Sequence, residues 1–226
     1  MPYYAVARGY NPGIYFSWDE CKKEVTNFSG AIYKKFASEV DAEDYILNCN
    51  NTSANIYESV YNKFDDNDVN YFVYTDGSCY NNGKIDSVSG IGIFFGVDDN
   101  RNVSKLVETT NYKHTNNNAE LVAILECYKI IKVDLDKGIK VCIVSDSEYS
   151  IKGATSYGEK CEKCEWSKNI PNKELVKELY DIYKENLNLK LKHIKAHTNK
   201  DDIHSIGNRN ADKLAYAVLK NNNKKN

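Results

Sequence analysis

The chain has 226 residues, a formal net charge of −2 and 42% hydrophobic residues, enough for one domain of ordinary size plus a small module, each with its own core. No apolar run reaches the roughly 18 to 20 residues of a membrane span, and MPYYAVARGY lacks the basic-then-apolar order of a signal peptide, which predicts a soluble, intracellular, non-secreted protein of the nucleus or cytoplasm. Seven scattered cysteines, an odd number, argue against a disulfide framework and agree with a reducing compartment.

Three blocks follow one another along the chain. In residues 1–47, YYAVARG and GIYFS flank a turn at Asn11, Pro12 and Gly13 and predict a hairpin. Ser17 and Glu20 have capping-box spacing, so a helix starts there; IYKKFAS is a third strand, and Ser38 opens a second helix. The result is a small ββαβα unit. Residues 48–69 are polar, Asn/Asp-rich and aperiodic, and read as a linker. From residue 70 to 221, YFVYTDGS, GIGIFFGV and VSKLVETTNY predict three successive strands, followed by a helix from Asn118 with Leu121, Ile124, Leu125, Tyr128 and Ile131 at helical spacing. The strand KVCIVSD, a helix near EYSIKGATSY, the helix NKELVKELYDIYKENL, the strand LKLKHIKA and the helix NRNADKLAYAVLK complete the block, with a polar tail at 222–226. Strands first and alternation later predict an α/β class, with a mixed five-stranded sheet flanked by helices.

Charge is unevenly distributed. Residues 1–47 carry five Lys/Arg against seven Asp/Glu, residues 48–69 one against four, and residues 70–226 24 against 21. The third block is therefore mildly basic, a background that suits an anionic substrate.

Four acids stand apart by position. Asp76 lies near the end of FVYT and is followed by Gly77 and Ser78, which read as a turn; Asp146 ends KVCIVSD; Glu120 lies in the first turn of one predicted helix and Asp212 in the first turn of the last. Such acids also serve helix dipoles or start turns, but neither role requires two of them to follow strands as apolar as FVYT and VCIV. Strand C-termini and helix N-termini of an α/β sheet converge on one crevice. Carboxylates gathered there repel unless cations neutralise them, and oxygen donors suit Mg²⁺ or Mn²⁺.

YTDGSCYNNG, TNNNAEL, VSDSEYSI and IGNRNADKLA, in this order and spacing, resemble the four acidic motifs of type 1 ribonuclease H, and YYAVARG, GIYFSWDEC and IYKKFAS resemble the hybrid-binding domain at the N-terminus of ribonuclease H1 proteins. The resemblance implies an endonuclease that hydrolyses the RNA strand of an RNA/DNA hybrid by a two-metal mechanism, leaving 5′-phosphate and 3′-hydroxyl ends, and acts as a monomer. It implies that Asp76, Glu120, Asp146 and Asp212 ligate two Mg²⁺, with Mn²⁺ as a substitute, and that Asp76 bridges the two. A loop histidine before the last aspartate assists proton transfer or product release in this family; His197 in KAHT is favoured over His204 in HSIGN.

Carried over residue by residue, the same resemblance implies that Asn82, Asn116 and Asn117 approach the RNA minor groove, and that Lys113, Thr115 and Asn172 form a DNA phosphate pocket, with Lys113 in place of the frequent Arg. Tyr149 and Tyr157 fall along the DNA channel. In the first block, Tyr4, Trp18 and Tyr33 pack on the DNA backbone beside the basic pair Lys34 and Lys35, and tethering this block to the enzyme adds processivity. YGEKCEKCEWSK departs from the family: Glu159, Glu162 and Glu165 alternate with lysines where relatives carry a basic protrusion. Cys161 and Cys164 form a CxxC pair without the second pair a zinc site needs. The alternative reading is a non-catalytic hybrid-binding protein of the viroplasmin type, disfavoured by the presence of all four acids. A haloacid dehalogenase-type phosphatase would need an Asp two residues after Asp76, where Ser78 stands; a retroelement ribonuclease or integrase shares the sheet and the acids but carries further catalytic segments.

Overall fold

The computed structural model describes residues 2–28, 30–39, 41–43, 45–46, 63–108, 112–167, 169–196 and 200–223. They form two compact units, divided between Asn62 and Lys63.

In the first unit, β1 (Tyr3–Arg8) pairs antiparallel with β2 (Gly13–Tyr15) on one side and β3 (Ile32–Phe36) on the other, giving the order β2-β1-β3. Helix α1 (Trp18–Val25) begins at a complete capping box, with the Ser17 side chain accepting from Glu20 N and the Glu20 carboxylate accepting from Ser17 N. Its Cys21 and Val25 pack with Val6 of β1. A short helix, of which residues 39, 41–43 and 45–46 are described, starts where Ser38 Oγ accepts from Asp41 N, and Ala42 is fully buried. This is the ββαβα arrangement expected from the hairpin and capping signals.

The second unit is built on a five-stranded mixed sheet of order β6-β5-β4-β7-β8, formed by β4 (Tyr71–Tyr80), β5 (Val88–Phe94), β6 (Val103–Leu106), β7 (Val141–Ser145) and β8 (Leu189–His193). The pairs β4-β5 and β5-β6 are antiparallel, while β4-β7 and β7-β8 are parallel. Strand β7 is buried along its whole length, as its unbroken VCIVS run requires for a central parallel strand. Helix α2 (Asn116–Asp136) precedes β7; α3 (Glu148–Ala154), α4 (Ser156–Lys163) and α5 (Lys173–Glu185) connect β7 to β8; and α6 (Ile203–Asn223) closes the unit.

Three glycines determine how closely the helices lie on the sheet. A Cβ at Gly77 would stand 2.2 Å from Glu120 N, one at Gly92 would stand 2.0 Å from Ala211 O, and one at Gly207 would stand 2.4 Å from the Tyr74 ring. Alternation along β4 puts α2 and α6 on opposite faces, since Gly77 meets Ala119 and Glu120 whereas Tyr74 meets Gly207. Strand β4 is thus clasped by both helices beside Asp76.

Several boundaries differ from expectation. Gly77 and Ser78 do not form a turn: β4 runs on to Tyr80, with Gly77 opposite Ile91 and Ser78 opposite Gly90. Gly77 is glycine because a helix backbone lies against it. Residues 63–69, read as the end of the linker, belong to the second unit. Lys63 Nζ donates to the carbonyls of Tyr183 and Asn186 at the end of α5, and Asp66 accepts from Lys190 Nζ at 2.6 Å and also from Lys192. Helix α6 begins at Ile203 rather than Asn208, because Asp202 accepts from the backbone N–H groups of both His204 and Ser205 and from Ser205 Oγ. The predicted EYSIKGATSY helix is two, divided at Thr155 (φ −124, ψ −112).

Candidate active site

Asp76 sits two residues beyond the last β4-β7 pair, Tyr74 with Val144, and opposite Gly92 of β5. Asp146 is the first residue after β7, so parallel pairing brings it alongside. Glu120 lies at the fifth position of α2, whose start is capped by Thr115 Oγ accepting from Asn118 N at 3.2 Å. The Gly77 contact presses this part of α2 against β4. Ligand atoms of Asp76, Glu120 and Asp146 all fall within 4.8 Å of one another.

Asp212 is not in the first turn of its helix, as expected, but ten residues into α6, because of the earlier start at Ile203. It lies outside the 4.8 Å group, yet the crossing of α6 over Gly92, with Ala211 O in closest contact, brings its charge within reach of Asp76.

The electrostatics are those of carboxylates buried beside one another. Burial, then the neighbouring Asp146, push the Asp76 acid up to about 7, with Asp212 adding to the rise. Burial, then Asp76 and Asp146, push Glu120 well above the usual carboxylate range. Asp76 is 8% exposed, and Glu120 Oε2 is buried without a hydrogen-bond partner among the described residues. An orphaned buried carboxylate oxygen beside two more acids fits a hard divalent cation bound through oxygen. A role confined to stabilising the fold would pair that oxygen with a donor.

Two residues not expected from the sequence also hold the site. Asn208 Nδ2 donates to Asp146 Oδ2 at 2.8 Å, and His193 Nε2 lies 3.2 Å from the Asp146 carbonyl. The spacing of Asn208 four residues before Asp212 is a signal that could have placed both on one face of a helix.

The expected nucleic-acid contacts fall into groups. Asn82 Oδ1 accepts from Asn116 N at 3.4 Å, tying the turn after β4 to the start of α2, where Asn117 follows. The Lys113 carbonyl accepts from Asn118 Nδ2 at 2.6 Å, and the Thr115 hydroxyl serves the helix cap. Asn172, in a left-handed conformation (φ 56), donates to Tyr149 OH at 3.1 Å, and Tyr149 OH in turn donates to the Pro171 carbonyl. Tyr157 stands in α4, partly exposed. In the first unit, Tyr4, Trp18 and Tyr33 form a run with ring centroids 5.9 and 5.8 Å apart, and Lys35 Nζ stands 5.7 Å from the Tyr4 ring. Trp18 and Tyr33 are 42% and 44% exposed. Lys34 does not join them: strand alternation turns it to the other face, over Phe36 and Tyr45.

His197, the expected loop histidine, lies outside the described residues. His204 is no loop residue; it packs edge-on against Phe72 in the first turn of α6. Lys192 Nζ is 3.4 Å from its Nε2 and Tyr74 OH is 3.3 Å from its Nδ1. An ammonium only donates, so Nε2 is the acceptor and the ring is neutral; burial and Lys192 lower its pKa accordingly. A ring held in this way is poorly suited to carrying a proton to a reacting group.

Residues 68–220 match the RNase H family, and residues 2–46 match the Ribonuclease H1 N-terminal domain. The chain belongs to the ribonuclease H family. It is similar to Ribonuclease H of Schizosaccharomyces pombe (32% identical, covering 94% of this chain and 95% of that one) and to Ribonuclease H1 of Mus musculus (26%, covering 94% and 87%). Among solved structures, a prototype foamy virus protease-reverse transcriptase shares the ribonuclease H fold, with a TM-score of 0.50 and 22% identity over 66% of this chain and 21% of that one. No described helix is long and apolar enough to cross a membrane.

Proposed function

We propose that the chain is an endoribonuclease that hydrolyses the RNA strand of RNA/DNA hybrids, leaving 5′-phosphate and 3′-hydroxyl ends. The observation that carries this reading is the convergence of Asp76, Glu120 and Asp146 within 4.8 Å in a member of the ribonuclease H family. In this reading these three acids and Asp212 would hold two Mg²⁺, or Mn²⁺ in their place, with Asp76 central among them. When bound, such ions lower the pKa of an attacking water and stabilise the leaving 3′ oxygen. The protein's own contribution is to bury these carboxylates beside one another, which raises the proton affinity of Asp76 and Glu120. No protein nucleophile is needed. All four acids come from one chain, which supports a monomer as a sufficient catalytic unit.

The Asn82-Asn116 link and the Tyr149-Asn172 link support reading these groups as the two rims that receive the hybrid, RNA along the first and DNA along the second. The exposed Tyr4-Trp18-Tyr33 face with Lys35 supports a second grip on the hybrid in the first unit, where aromatic faces and a cation suit a nucleic-acid backbone. The described cysteines are free thiols, which supports a reducing cellular compartment such as nucleus or cytoplasm.

The test is incubation of the full chain with strand-labelled RNA/DNA hybrid, duplex RNA and duplex DNA, with Mg²⁺ and with chelator. The expected result is Mg²⁺-dependent cleavage of the hybrid's RNA strand alone. Cleavage of duplex DNA, or cutting that persists in chelator, would contradict the reading.

A further inference from the structure

We propose that Asn208 is a positioning residue for Asp146: its amide fixes one carboxylate oxygen and so sets the orientation in which Asp146 joins Asp76 and Glu120 around a divalent cation. The proposal rests on the metal-dependent reading above and names a residue of α6 as part of that site.

Asp146 follows the last residue of β7 and has no strand pairing of its own. Among the described residues three hydrogen bonds restrain it. Its carbonyl accepts from Glu148 N at 3.1 Å and from His193 Nε2 at the end of β8, and its Oδ2 accepts from Asn208 Nδ2 at 2.8 Å. The last of these is the one that bears on the carboxylate, and it engages one oxygen while leaving the other for a further interaction. A neutral amide suits this role because it restrains an acid without neutralising it, whereas Lys or Arg would compete with the cation.

Asn208 is placed there at a cost that packing does not explain. It is 6% exposed, flanked by Gly207 against the Tyr74 ring and one turn from the fully buried Ala211, a setting that an apolar side chain would fill. Its Oδ1 is buried with no partner among the described residues. A buried amide with half its capacity unmet destabilises the fold, and the contact that accounts for its presence is the one to Asp146. Four residues separate Asn208 from Asp212, so α6 presents both to the same end of the sheet. One helix thereby supplies an acid and orients another.

The experiment measures Mn²⁺ binding to the full chain by electron paramagnetic resonance at fixed pH, for wild type, Asn208→Leu, Asn208→Ala, Asp146→Asn and the Asp146→Asn/Asn208→Leu double variant. Asn208→Leu keeps the branched shape and lacks the donor, so it should retain thermal stability in chelator and hybrid binding without metal. Its Mn²⁺ affinity should fall about ten-fold or more, the usual effect of losing an outer partner of a ligand, and Asn208→Ala should match it. In the double variant the affinity should be no lower than in Asp146→Asn alone. Affinity within two-fold of wild type in Asn208→Leu, or losses that simply add in the double variant, would overturn the proposal. Absence of Mn²⁺ binding by the wild-type protein would overturn the metal reading and this proposal together; wild-type binding with an unaffected Asn208→Leu overturns this proposal alone.

Discussion

Replacing Asp76 by Asn should make the metal-free protein more stable at neutral and alkaline pH. The Asp76 acid ionises at 3.8 in an ordinary setting and at about 7 in the folded site, through burial and the neighbouring Asp146. At about 1.4 kcal/mol for each pH unit between the two values, folding the ionised form costs about 4 kcal/mol. The new amide is itself buried beside Glu120 and gives part of this back, so the expected gain is about 2 to 4 kcal/mol. The sign follows from proton linkage: the folded state holds its proton more tightly than the unfolded chain. The stability carried by that proton is intact below pH 3.8 and is lost as pH rises to about 7. Wild-type protein in chelator should therefore lose stability between about pH 4 and 7, while Asp76→Asn shows a much flatter profile. For a unit of this size the gain corresponds to a melting temperature about 5 to 15 °C higher at pH 8, read by circular dichroism. Saturating Mg²⁺ should narrow or reverse the gap, since only the wild-type site gains the ion's binding energy. An Asp76→Asn protein no more stable than wild type at pH 8 in chelator would refute the reasoning.

Gly77→Ala should be among the most damaging single-methyl changes in the chain, because its Cβ would meet Glu120 N at 2.2 Å; a loss of more than about 2 kcal/mol in urea denaturation is expected, and near wild-type stability would remove the close approach from the account. Asp66→Ala leaves the buried Lys190 ammonium without its carboxylate and should cost about 1 to 3 kcal/mol. The Asp66 acid is held down to about 2 chiefly by its hydrogen bonds to Lys190 and Lys192, so its contribution is present above pH 3.8 and disappears as pH falls towards 2; a variant with an unaltered acid limb would contradict this. Trp18→Ala removes the middle ring of the exposed run in the first unit and should weaken hybrid binding in a gel shift about five-fold or more, with little change in the rate of a single cut. His197→Ala should slow turnover more than His204→Ala, whose ring is held by Lys192 and Tyr74; the opposite order would move the proton-handling role to His204.

Much of this architecture is legible from local pattern. The apolar runs of β4 and β7, the helical spacing of apolar residues in α2 and the capping signals of the first unit are short-range features, and they place Asp76, Glu120 and Asp146 at converging ends. What the sequence hides depends on contacts between distant segments. Gly77 resembles a strand breaker until α2 is seen lying on it. The start of α6 resembles a loop because its IHSIGN stretch holds Gly207, whose smallness is required by the ring of Tyr74, a residue of a strand far earlier in the chain. The polar run ending in DDNDV reads as linker, yet Lys190 and Lys192 on β8 capture Asp66. The pair Lys34 and Lys35 reads as one basic patch, but a strand sends adjacent side chains to opposite faces. Asn208 is inconspicuous because nothing in IGNRNAD shows that its amide meets an acid 62 residues away.

If these acids hold the metals that cut the RNA strand of a hybrid, removing one of them should abolish cleavage and spare binding. The most direct test is single-turnover cleavage of an end-labelled RNA/DNA hybrid by wild type and Asp146→Asn in Mg²⁺, with binding measured on the same samples. Wild type should yield RNA fragments with 3′-hydroxyl ends, and Asp146→Asn should bind hybrid without cutting it. Cleavage by Asp146→Asn at the wild-type rate would remove this acid from the metal site.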